Sequence, residues 1–186
     1  MSLTAITELN AKMKAAHDEI VEIAKREGSA IVAELFAPLW ETGVVATSWH
    51  QYTPYFNDGE PCEFGVYAEA SEMPVTWAGG PDWEDGDGYP DEKSIWDAEY
   101  HFKEYTPAKY RSDQENERYR IEHEAKAQQY VALGLTPEKV AEAKAVLEEI
   151  TKVLNANEEM LKAAFGDHVL VKVTPEGVEV EDYDHE

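Results

Sequence analysis

Ile6, Leu9, Met13, Ala16, Ile20 and Ile23 recur at alternating steps of three and four, which places them on one stripe of an α-helix. Ser2 or Thr4 can cap the start of that helix, and Gly28 marks a stop or kink. A second apolar face, Ile31, Leu35, Phe36, Leu39 and Trp40, predicts another helical stretch, interrupted near Pro38 and ended by Gly43. Further on, residues 112–135 read as a polar helix with sparse anchors at Tyr119, Ala125 and Tyr130 and a stop at Gly134. Thr136 then offers a cap and Pro137 a first-turn residue. Val140, Ala143, Leu147, Ile150, Leu154 and Leu161 again keep heptad spacing, with Asn157 in the remaining slot and Gly166 closing the helix.

The pattern between these helices has a different period. "VVATSWHQYTPYF" and "CEFGVYAEA" are rich in β-branched and aromatic residues and flank Asn57-Asp58-Gly59-Glu60-Pro61, a hairpin signal with a loop longer than two residues. Alternation puts Val45, Thr47, Trp49 and Gln51 on one face and Ala46, Ser48, His50 and Tyr52 on the other. Pro54 sets the end of this strand at an edge or bulge. The stretch 79–92 reads as an acidic, turn-rich loop. "SIWDAEYHFKEY" alternates and is taken as a third strand, with a short helix as the alternative. "HVLVKVTPEGVEVEDYD" reads as a small hairpin around Pro175-Glu176-Gly177 with an acidic tail.

These elements predict an α+β fold: a small antiparallel sheet from residues 44–107 and the C-terminal hairpin, packed against long N- and C-terminal helices. One domain is expected over 1–186, divided into a helical part (1–43), an aromatic and acidic β-rich part (44–107), a second helical part (108–166) and the hairpin and tail (167–186). The two heptad stripes suggest helices that pack on each other or across a homodimer, and packing within the domain is the preferred reading.

Charge changes the picture most. The chain has 39 Asp plus Glu against 16 Lys plus Arg, a net charge of −23. Such a field repels nucleic acid and acidic membrane surfaces, so no direct nucleic-acid partner and no membrane partner are expected, whereas a basic protein is attracted. Solubility alone is the plain alternative explanation for the excess acid. No run of about 18 apolar residues is present, and the N-terminus lacks a secretory pattern. With a single cysteine, Cys62, a reducing cytosol is the expected compartment.

Fifteen of the 20 aromatic residues fall between Trp40 and Tyr110. Residues 57–104 carry fourteen acids against Lys93 and Lys103, and a further seven acids stand against Lys172 in the last 21 residues. Aromatic area and negative charge thus coincide, a combination suited to holding a basic, partly apolar partner. The candidate binding residues are Tyr52, Tyr55, Asn57, Asp58, Glu60, Trp83, Glu84, Asp85 and Asp87. Trp49, Phe64 and Phe102 read as core, and Phe56 with Phe64 as anchors of the hairpin. Around Asp85 the calcium-loop pattern fails, because Tyr89 and Pro90 occupy its fifth and sixth positions. His101 with Glu104, and His123 with Glu122 and Glu124, have acids nearby, but no zinc spacing occurs. Cys62 lies between Glu60 and Glu63, which disfavours a thiolate, and reads as a small buried hydrophobe. No catalytic residue, metal or cofactor is assigned.

The segment Gln51 to Phe64, "QYTPYFNDGEPCEF", resembles one in uncharacterised proteins of tailed bacteriophages, with a Tyr-Thr-Pro-Tyr-Phe-Asn-Asp-Gly core followed by a cysteine or small residue and a phenylalanine. The resemblance implies a phage origin and expression in host cytoplasm; it implies no activity. With it, the leading expectation is an acidic accessory protein that binds and inhibits or redirects a basic host or defence protein, with DNA mimicry as one route. The alternatives are a small-ligand binder or enzyme using the aromatic hairpin as a cup, and a minor virion component.

Overall fold

A computed structural model describes residues 3–55, 61–80 and 94–184. The chain runs α1 (Leu3–Trp40), β1 (Val44–Tyr52), β2 (Gly65–Tyr67), β3 (Val75–Trp77), α2 (Ile95–Phe102), α3 (Asp113–Ala132), α4 (Pro137–Asn155), α5 (Glu158–Phe165), β4 (Val169–Thr174) and β5 (Gly177–Asp182). The architecture is α+β, with a small antiparallel sheet packed against the N- and C-terminal helices. β1 is its hub: β2 pairs with one end of β1, β3 with the other, and β4 along the opposite edge, with β5 outside β4.

The strand period explains which face meets the helices. Trp49 is 1% exposed and stacks on Phe36 of α1, with ring centroids 5.9 Å apart. Across the sheet Trp49 stands opposite Val171, and Val169, Val171 and Val173 of β4 are all buried. Beside Trp49, the amide of fully buried Gln51 donates to the carbonyls of Leu161 (3.1 Å) and Gly166 (2.7 Å) and accepts from Trp49 Nε1 (3.2 Å). Gln51 thereby gives carbonyls at the end of α5 a partner that water cannot supply there. The α4 stripe is equally legible: Val140, Ala143, Leu147, Ile150 and Leu154, with Leu161 of α5, are all in the core. Burying a side chain of this size contributes about 1.5–3 kcal/mol.

Five expectations are corrected. Residues 95–102 form helix α2, not a strand, because the Ser94 hydroxyl accepts the Asp97 N–H and only a helical period gathers Ile95, Ala98 and Phe102 on the core side. Gly28 does not stop α1, which continues to Trp40; a Cβ added at Gly28 would lie 2.5 Å from that of Ala164, so the glycine permits close approach of α5. The last long helix is two, since α4 ends at Asn155, where Ala156 caps it, and the Asn157 side chain donates to the Val153 carbonyl at 2.7 Å before α5 begins. Finally, the stripe from Ile6 to Ile23 does not pack inside the domain. α1 enters the body along a different line, Gly28, Val32, Phe36 and Leu39, and every side chain from Ile6 to Ile20 is exposed. β3 has no counterpart in the sequence pattern above, and Cys62 is half-buried rather than buried.

A candidate binding face on the sheet

The side of the sheet turned away from the helices collects aromatic rings. On β1 the alternation holds beyond an irregularity at Val44–Ala46: His50 and Tyr52 lie on this side, opposite in sense to Trp49 and Gln51. Register brings Tyr67 across from His50 and Gly65 across from Tyr52. The Tyr67 ring lies over Gly65, 3.5 Å from where a Cβ would stand, and stacks on Tyr52 with centroids 4.2 Å apart. From the other edge, Tyr183 packs against His50 (4.0 Å) and Tyr52 (5.6 Å), its N–H donating to the His168 carbonyl at 2.8 Å. Tyr55, which is 65% exposed, stacks on His168 at 4.7 Å.

One carboxylate fixes the corner that carries His168. Asp167 Oδ1 accepts from the Thr53 N–H (2.8 Å) and the His168 N–H (3.0 Å), and Oδ2 accepts from the Thr53 hydroxyl (2.7 Å) and Lys162 Nζ (2.9 Å). Partial burial acts to raise its pKa, but the donors from Lys162 and Thr53 outweigh it and bring it down to about 2. These bonds tie the end of β1 to the turn after α5 and hold His168 at φ 57, a left-handed conformation that a residue with a Cβ seldom adopts.

The border of the rings is acidic. Burial lowers the pKa of His50. Burial, and then the hydrogen bond with Tyr67, raises that of Tyr52, and burial raises that of Tyr183. On β5 the exposed Glu179 and Glu181 share the side of Tyr183, facing Lys172 and Leu170 of β4, and exposed Asp184 follows. Carboxylates next to flat aromatic area suit a guanidinium or ammonium group, which stacks on the ring while its N–H donors reach the acid. Toward β3 the same side of the sheet is closed, since Ala46 and Ser48 are buried.

Of the residues named from sequence, Tyr52 and Tyr55 are here, bridged by His168. Asn57, Asp58, Glu60, Trp83, Glu84, Asp85 and Asp87 lie outside the described residues, as does Phe56. His50, Tyr67, His168 and Tyr183 were not singled out; the alternation that paired His50 with Tyr52 is the one sequence signal pointing to any of them. Phe64 packs against the core, and Lys162 Nζ lies 4.5 Å from the centre of its ring.

A second polar cluster lies away from this face, between α2 and α3. Asp97 accepts from the Tyr130 hydroxyl and is approached by His101 Nε2 (3.3 Å) and Lys126 Nζ (3.4 Å). His101 and His123 have ring centroids 4.7 Å apart, and His123 Nε2 lies 3.1 Å from the Tyr100 carbonyl. The partners expected for these histidines, Glu104, Glu122 and Glu124, are replaced by Asp97 and by one another. The cluster joins two helices, and among the described residues no group of three His, Cys, Asp or Glu is arranged to hold a metal ion. A groove of about 900 Å³ elsewhere, lined by His17, Val21, Lys25, Glu158, Lys162 and Phe165, mixes both charges.

The fold and this face define an α+β protein with an aromatic, acid-edged sheet surface, and no helix among the described residues is long and apolar enough to cross a membrane. No family model, no curated protein and no solved structure matches the chain.

Proposed function

We propose that the chain is an acidic binding protein whose sheet face captures a basic partner. The observation that carries the reading is the placement of Tyr52, Tyr55, Tyr67 and Tyr183 beside Glu179, Glu181 and Asp184 on strands and their immediate continuations. A lysine or arginine side chain gains ring contact and a carboxylate there, while the net charge of −23 draws a cationic surface in from a distance. With the phage resemblance of Gln51–Phe64, the partner class is a host or defence protein that handles nucleic acid. Occupying the side chains that would otherwise hold phosphate inhibits or redirects it.

Fluorescence anisotropy with an arginine- and aromatic-rich peptide, against an acidic peptide of equal length, tests the reading. Saturable, salt-sensitive binding of the basic peptide is expected, weakened about tenfold by Tyr67→Ala and by Glu179→Gln with Glu181→Gln. Equal binding by the variants, or none by the wild type, overturns it.

A further inference from the structure

The exposed stripe on α1 carries an inference separate from the sheet face. From Ile6 to Ile20 every side chain of the helix is exposed, yet Ile6, Leu9, Met13, Ala16, Ile20 and Ile23 keep heptad spacing along one line. A helix of this length draws its stability from an apolar face packed on something, because an isolated one is marginal in water. Charge selects the occupant. Residues 6–31 hold five acids and four bases, so −22 of the chain's −23 lies elsewhere, and two copies meet along the arm without strong repulsion.

We propose that a second copy of this chain covers the stripe, with the two α1 arms antiparallel. In that register Ile6 lies opposite Ile23, Leu9 opposite Ile20 and Met13 opposite Ala16 of the second copy, so each large residue of the inner layers has room and every stripe position has a partner. Lys12 and Glu19 precede Met13 and Ile20 and border the same edge, and antiparallel pairing sets each beside the other's counterpart, giving two ion pairs. Parallel pairing sets Lys12 beside His17 and Glu19 beside Ala24, with no complementary pair. The bodies decide in the same direction. Antiparallel arms place the two acidic bodies at opposite ends of the paired helices; parallel arms would hold them side by side.

Sedimentation equilibrium of the full chain tests this. A dimer is expected, with Leu9→Asp raising its Kd about 100-fold or more while near-ultraviolet circular dichroism of the body stays unchanged. Lys12→Glu weakens the dimer about fivefold, and Lys12→Glu with Glu19→Lys restores it. In a Cys62→Ser background, chains carrying Ile6→Cys cross-link to chains carrying Ile23→Cys. A monomer at every concentration overturns the proposal, including one whose arm binds a basic peptide instead. So does self-cross-linking of Ile6→Cys alone, or a charge swap that fails to restore the dimer. Tyr67→Ala leaves all these readings unchanged, so this proposal and the one for the sheet face fail separately.

Discussion

Gly28 of α1 and Ala164 of α5 touch where no larger pair would fit: a Cβ on Gly28 would stand 2.5 Å from the Ala164 Cβ. Both atoms belong to helix backbones or sit directly on them, so relief requires the helices to part. Gly28→Ala is expected to cost about 1–3 kcal/mol of stability in spite of its better helix propensity. Urea denaturation of Gly28→Ala, Ala164→Gly and the double variant checks this. The double variant should recover part of the loss, and additive losses would show that the contact is not the cause.

Asp167 makes stability depend on acid. Its carboxyl is near 2 in the folded chain and near 4 when unfolded. Its contribution is therefore complete above about pH 4 and fades as pH falls toward 2, because the unfolded chain takes up the proton first. With the side chain 30% exposed, the contribution is on the order of 1–2 kcal/mol. Denaturation between pH 5 and 2 should show a flatter profile for Asp167→Asn than for the wild type; parallel profiles would assign the acid sensitivity to other groups.

His101 predicts a second, milder dependence. Burial lowers its pKa, and His123 and Lys126 act in the same direction against the attraction of Asp97. The neutral ring is the one the fold prefers, so the stabilisation is full above about pH 6.5 and declines as pH falls through the lower folded value. Histidine resonances followed by NMR should place His101 below the free value. His101→Gln should remove its share of the stability slope between pH 7 and 5, and a raised His101 pKa would contradict the burial argument.

How far the sequence carries depends on whether a feature is local. The α4 stripe and the β1 alternation were legible because period alone fixes which side of an element is apolar, and Trp49, Leu147 and Leu154 are buried accordingly. Residues 95–102 were misread because Ile95 to Phe102 satisfies a period of two nearly as well as a helical one; the spacing of Ser94 and Asp97 was the deciding cue. Gly28 reads as a breaker since its reason lies on α5, 136 positions away. The α1 stripe was visible, but not that the body would turn a neighbouring line of the same helix inward. At the sheet face, Tyr52 and Tyr55 were legible from composition. Tyr67 and Tyr183 depend on strand register, and His101 meets His123 only through the docking of α2 on α3.

The central position of β1 has a consequence for how the molecule assembles. Residues 44–52 are synthesised well before 169–173, with which they form their longest ladder. Such a long loop must close before the ladder rewards it, which slows the search relative to helix formation. The helices can therefore form while β1 waits, one edge bare, for the last hairpin to arrive and complete the sheet.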